Sequence, residues 1–161
     1  RPLARVPVHR NPGMTKTTFA TLDDHRAAIA QWFVVDASNH TLGRMAVRIA
    51  EVLMGKDQPL YTPHISVGRG VVVVNAEKVG VTGNKRERRI YTRWTVYPGG
   101  LREESLGDRL ESNPEKLIKD AVRRMLPKNR IGHDMLRLLK VYRGSNHPHA
   151  AQNPVELVVP R

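Results

Sequence analysis

Four consecutive valines, Val71-Val72-Val73-Val74, restrict the fold of this chain more than any other segment. A strand with one face in water alternates apolar and polar residues. An unbroken β-branched run belongs instead inside a sheet that is covered on both faces. Upstream, Trp32-Phe33-Val34-Val35-Asp36 has the same short, continuous character of a buried strand. Between the two the apolar period changes: Leu42, Met45, Ala46, Ile49 and Leu53 recur at helical spacing and form one stripe. Thr41 suits the N-cap of that helix, and Gly55 followed by Lys56 suits its end. Strand, crossover helix and second strand make a βαβ unit, which predicts a parallel sheet.

The remaining elements are read in the same way. Leu22 to Ala30 is expected to form a short helix, with Thr21 as cap and Asp23 and Asp24 in its first turn. Val79-Gly80-Val81-Thr82 reads as a third, short strand. From Gly83 to Gly100 a basic excursion with an extended pattern, Ile90 to Tyr97, closes on Pro98-Gly99-Gly100, as a projecting hairpin or ordered loop would. A helix begins at Pro114 with Asn113 as N-cap, buries Leu117, Ile118, Ala121, Val122 and Met125, and stops at Pro127. Another, from about Ile131, buries Ile131, Met135, Leu138 and Leu139 ahead of a final strand near Val141. The fold class is α/β, with helices on both faces of a small, mostly parallel sheet. Residues 1–18 read as a basic, proline-stiffened flexible tail, and residues 19–161 as a single α/β domain. Met14 is a possible in-frame start, so the residues before it are expected to be a variable extension.

The charge points to the partner. Lys and Arg total 27 against 15 Asp and Glu, a net +12, and a surface so charged calls for a polyanion, most simply RNA or DNA. No cysteine is present, which removes disulfides, thiolate metal sites and a cysteine nucleophile. No apolar run approaches the roughly 18 residues of a membrane span, so no membrane partner is expected. Thr41-Leu42-Gly43-Arg44-Met45-Ala46 supplies one glycine where a dinucleotide turn needs three, and no P-loop pattern occurs. His64, His133, His147 and His149 lack further ligands at metal spacing, and Asp36, Asp120, Ser105 and Ser145 have no evident catalytic partners. The expectation is no enzyme, no metal, no cofactor and no homo-oligomer.

Three basic clusters make up the candidate RNA-contacting set. On the first long helix they are Arg44 and Arg48, with Lys56 at its end; Arg44 and Arg48 lie one turn apart and repel unless an anion intervenes. The loop Gly83-Asn84-Lys85-Arg86-Glu87-Arg88-Arg89 contributes Lys85, Arg86, Arg88 and Arg89, opened by a glycine that lets backbone approach a phosphate, and Arg93 follows. In the last third, where Asp134 is the only acid between Arg123 and Arg143, come Lys128, Arg130, Arg137, Lys140, Arg143, His147 and His149. Tyr91, Trp94 and Tyr97 interleave with Arg93; they either stack on unpaired bases or pack against their own domain.

Taken in order, these segments resemble the universal large-subunit ribosomal protein thirteen family in its bacterial form. The blocks are Val35-Asp36-Ala37 with Thr41 to Ala46; Tyr61-Thr62-Pro63-His64; Val74 to Val79 and Val81 to Lys85; Tyr97-Pro98-Gly99-Gly100; Met125-Leu126-Pro127-Lys128-Asn129; Leu139-Lys140-Val141-Tyr142; and His147-Pro148-His149-Ala150-Ala151-Gln152. They cover roughly residues 32–154. Arg69, Trp94 and Val96 depart from the usual pattern. The resemblance implies a three-layer α/β/α domain and a structural constituent of the large ribosomal subunit that binds 23S-type rRNA, aids early subunit assembly and lies beside neighbouring large-subunit proteins. It also implies a cytoplasmic location in the ribosome, with an organellar ribosome left open. Two other readings stay separable by experiment: a free-standing RNA-binding regulator, and an α/β enzyme using the crevice at the sheet's edge.

Overall fold

The computed structural model describes residues 19–159. The stretch expected as a tail, residues 1–18 with Met14, lies outside the described residues. Helix α1 (Leu22–Ile29) starts as expected: the Thr21 hydroxyl accepts from the Asp24 N–H and the Asp24 carboxylate accepts from the Thr21 N–H, a complete capping box. Strand β1 (Trp32–Asp36) then leads into α2 (Leu42–Met54) and strand β2 (Gly70–Val74). Every residue of β2 is buried, as the valine run requires, and β1 pairs with it in parallel from Trp32 opposite Gly70 to Asp36 opposite Val74. The stripe Met45, Ala46, Ile49 and Leu53 is fully buried on α2, and Gly55 ends the helix in the left-handed conformation at φ 74°. Its N–H reaches the Glu51 and Val52 carbonyls, which a β-carbon at that φ would make costly.

The chain between β2 and the next parallel strand carries a short helix α3 (Lys85–Arg88), an antiparallel hairpin of β3 (Ile90–Trp94) and β4 (Leu101–Ser105), and helices α4 (Leu106–Ser112), α5 (Pro114–Met125) and α6 (Arg130–Arg137). Strand β5 (Leu139–Val141) pairs in parallel with β2, and the two-residue β6 (Val155–Glu156) pairs in parallel with β1. The sheet order is therefore β5-β2-β1-β6, all parallel, with helices on both sides. Val35, Val71, Val73, Leu139 and Val141 join α2, α4 and α5 in one core. Each such side chain contributes about 1.5–3 kcal/mol by leaving water. The other sheet face carries Trp32, Val34 and Val72, and there the His149 imidazole stacks on the Trp32 indole, centroids 5.4 Å apart.

Several boundaries differ from the sequence reading. Val79–Thr82 is not a strand: Asn75 turns the chain at φ 55° into a 3-10 turn over Ala76–Lys78, and only one parallel bridge, Thr41 to Gly80, remains. The hairpin's second strand lies beyond Gly100, not before it. Helix α4 is additional, capped by a Ser105–Asp108 box. Thr41 and Asn113 hold the N-cap positions of α2 and α5 without a side-chain cap bond. The start of α2 is fixed instead by backbone, Leu42 N–H to the Gly80 carbonyl at 2.9 Å and Gly80 N–H to the His40 carbonyl at 3.0 Å. Leu139 belongs to β5 rather than to the preceding helix, and Met125 is 40% exposed rather than buried.

Candidate nucleic-acid interface

The turns that follow β1 and β2 meet at the Thr41–Gly80 bridge, and beyond the carboxyl end of the sheet they open into a cleft of about 610 Å³. Into it converge Arg44 from the first turn of α2, Lys85 from α3, Arg89 from the link to β3, and Arg124 from α5. All four are exposed, and among the described residues none has an ion-pair partner. The walls are apolar: Leu42, Val47, Val81, Ala121 and Met125. The one acid there, Asp120, is already engaged by Arg109 and, at 3.5 Å, by Arg123. Sequence reading placed Arg44 and the Lys85–Arg89 loop in separate clusters; the fold joins them and adds Arg124. The missed signal was spacing, since Arg124 lies one turn beyond Asp120 and hence on the same side of α5.

Next to this cleft the hairpin is anchored by Tyr91. The guanidinium carbons of Arg109, Arg89 and Arg124 lie 4.6, 5.4 and 5.7 Å from its ring centroid. A half-buried phenol ring so surrounded is a packing element with cation–π contacts, so of the two readings for Tyr91 the structure takes packing. Trp94 and Tyr97 are the opposite case, 65% and 76% exposed on the hairpin. Arg93 is exposed and faces Arg102 directly across the strands, and the two share a hollow with Lys116, Arg123 and Arg124 as well as Glu103, Glu104 and Asp120. Like charges in direct cross-strand register destabilise a hairpin. Glu103 and Glu104 on the same strand offset part of that repulsion.

The other predicted residues are dispersed. Lys85, Arg88 and Arg89 form an open shelf with Gly83, which adopts φ 63° with free space around it. Arg86 lines a separate hollow with Arg143. Lys56 is exposed just past the end of α2, and Arg48 pairs with Glu51 at 3.0 Å. Lys128 and Arg130 flank Asn129, whose side chain caps α6 by accepting from the Gly132 N–H at 2.8 Å. Arg137 pairs with Asp134 at 3.2 Å. Lys140 sits half-buried on β5 opposite Val72. Arg143 donates to the carbonyls of Glu111 and Ser112 at the end of α4, and cations there also complement the helix dipole. The Tyr142 hydroxyl lies 2.9 Å from His149 Nε2, and His147 stacks beside His149. The C-terminal block is thus not one patch.

The carboxylates are structural. Asp36 accepts from the Ser38 N–H at 3.0 Å and from the Asn75 amide at 2.9 Å. These bonds, the backbone one foremost, hold its pKa below the ordinary aspartate value. Among the described residues no cluster of three or more histidine and acidic side chains could hold a metal, and no helix is long and apolar enough to cross a membrane.

Comparison with known proteins agrees with the ordered blocks. A protein of Syntrophotalea carbinolica named large ribosomal subunit protein uL13 is 56% identical over 126 residues, 78% of this chain and 89% of the relative. One of the same name from Aquifex aeolicus is 54% identical over 129 residues, 80% and 90% of the two chains. A third, from Synechocystis, is 45% identical over 148 residues, 91% and 95%. Residues 30–148 match the family described as ribosomal protein L13. With most of the chain aligned at these identities, it belongs to the ribosomal protein L13 family, a structural and non-enzymatic family of ribosomal proteins.

Proposed function

We propose that this protein is a constituent of the large ribosomal subunit that binds 23S-type rRNA through arginine and lysine contacts to phosphate and helps early subunit assembly, working in the cytoplasmic ribosome beside neighbouring large-subunit proteins. Family membership supports the ribosomal part. The observation that carries the RNA part is the convergence of Arg44, the Lys85–Arg89 segment and Arg124, three segments far apart in sequence, on one cleft with no acid left free among the described residues to neutralise them. Arg88 adjoins that cleft on the Gly83 shelf, and Arg93 lines the hollow that shares Arg124; Arg86, Lys128, Arg130, Lys56 and Lys140 add contacts from elsewhere on the surface; Arg48, Arg137, Arg143, His147 and His149 join by giving up partners they already hold. Affinity comes mainly from counterion release, and RNA shape rather than base identity sets the site. Residues 1–18 add a basic tail to one α/β domain, residues 19–161.

The test is equilibrium binding of the full chain to large-subunit and small-subunit rRNA across a salt series. Tight binding to the large-subunit RNA alone, surviving moderate salt, is expected. Equal affinity for both, collapsing together as salt rises, would refute the assignment.

A further inference from the structure

We infer that the cleft between α2, α3 and α5 is a base pocket: one nucleotide of the bound RNA leaves its stack, lays its base against the apolar wall and keeps its phosphates among the surrounding cations. This rests on the RNA-binding reading and adds to it a site with a defined occupant. Phosphate contacts alone need no concavity, whereas about 610 Å³ is the size of a small-ligand site. Nor do they need an apolar lining. Val47 and Met125 stay 48% and 40% exposed there, large apolar side chains left in a wall ringed by charge. An occupant that covers both must be flat and apolar in its body and anionic at its edge, which describes a nucleotide.

The cations are also held in place beforehand. Arg89 and Arg124 rest over the Tyr91 ring, so their planar guanidiniums are oriented before RNA arrives. Unpaired bases stack on such planes as they do on aromatic rings. Arg44 and Lys85 complete the positive rim, and Asp120 offers no opposing charge because Arg109 and Arg123 engage it. An acidic peptide would match the rim but leaves the guanidinium planes and the apolar wall without a flat partner.

Gly43 provides a clean test. It lines the cleft, a β-carbon added there meets nothing within 4 Å, and its backbone is not left-handed. Gly43→Leu therefore narrows the pocket without changing charge, and leucine is the better helix former. Val47→Leu, at another exposed wall position, is the second variant. Each full-length protein is bound to large-subunit rRNA across a salt series. In parallel, 4-thiouridine-substituted RNA is photo-cross-linked to it and the attached peptides are identified by mass spectrometry. Wild type is expected to cross-link through the cleft wall at Val81 or Met125. Gly43→Leu is expected to lose that cross-link and to weaken binding about tenfold, the scale of one base stack, at every salt concentration. Its salt slope stays that of wild type, whereas Lys85→Ala lowers the slope by about one.

Wild-type affinity and cross-links in both wall variants, with Lys85→Ala still lowering the slope, would overturn the pocket and leave the RNA reading intact. Cross-links from the cleft to a neighbouring protein in native subunits would overturn it in favour of a peptide. Saturable binding of free nucleoside monophosphates that RNA does not displace would overturn it in favour of a separate small-molecule site. A wild type that fails to prefer large-subunit RNA would instead remove the reading beneath it.

Discussion

Asp120→Ala isolates the contact that seats the hairpin on the domain. Arg109 is only 8% exposed, its guanidinium is ion-paired with Asp120, and it lies over the Tyr91 ring. Removing the carboxylate leaves a nearly buried charge with no ion-pair partner. For fully buried pairs that loss costs about 3–5 kcal/mol, and for exposed ones about 0–1 kcal/mol. The side chains of Arg109 and Asp120 retain 10% and 20% of their exposure, so water still reaches the pair and about 2–3 kcal/mol is expected. The second partner, Arg123, is 59% exposed and adds little. At roughly 2–4 °C per kcal/mol for a chain of this size, the midpoint should fall by about 5–10 °C. Urea unfolding gives the free energy directly. The informative companion is Arg109→Met with Asp120→Ala: if the cost is that of an uncompensated charge, the double variant is more stable than Asp120→Ala alone. A loss below about 0.5 kcal/mol in Asp120→Ala, or simple additivity of the two changes, would refute this account of the anchor.

Gly68→Ala should be among the most damaging small substitutions in the chain. Its β-carbon would lie 1.7 Å from the Leu53 carbonyl oxygen, so two backbone segments must part, at about 3 kcal/mol or more, measurable by urea melt or as loss of soluble protein. Asp36→Ala should cost about 1 kcal/mol at neutral pH through its two lost hydrogen bonds. Because the folded-state pKa of Asp36 is depressed, that stabilisation is present above the unfolded-state value and disappears as pH falls through the folded-state one. Melts of wild type and variant should therefore converge in acid and stay apart at neutral pH; a gap that widens in acid would contradict the sign. Lys128→Ala with Arg130→Ala should lower the salt slope for rRNA by about two, and unchanged affinity and slope would take both residues out of the interface.

The elements that proved legible carry their own burial pattern. Val71–Val74 admits no wet face, and the α2 stripe of Met45, Ala46, Ile49 and Leu53 defines its inner side without reference to any neighbour. Pro114 marked the start of α5 for a purely local reason, its fixed φ and missing N–H. Strand β4 was hidden because Leu101-Arg102-Glu103-Glu104-Ser105 has no apolar alternation; it is a strand only by pairing with Ile90–Trp94. The two residues of β6 are too few for any period. The cap of α4 was readable, since Ser105 and Asp108 hold the spacing of a capping box, but the helix behind it is only seven residues long. The Arg109–Asp120 pair depends on how α4 packs against α5, and no linear spacing encodes that.

The same distinction governs the charge. A run of basic residues shows that a polyanion is wanted, and the fold then decides which cations are free to meet it. Arg48 and Arg137 each hold an acid one turn away, Arg109 holds Asp120, and Arg143 is spent on two carbonyls. A phosphate reaching Arg48 must displace Glu51, so part of its attraction is cancelled by the broken pair and fewer counterions are released. Arg44, Lys85, Arg89 and Arg124 have no ion pair to break among the described residues. Arg48 and Arg137 join only by breaking their pairs, so substituting either with alanine should lower the salt slope by clearly less than one, while the same change at Lys85 or Arg124 lowers it by about one. A scan in which all four lowered it equally would mean that the ion pairs of the free protein do not weaken the phosphate contacts of Arg48 and Arg137, and would refute this ranking.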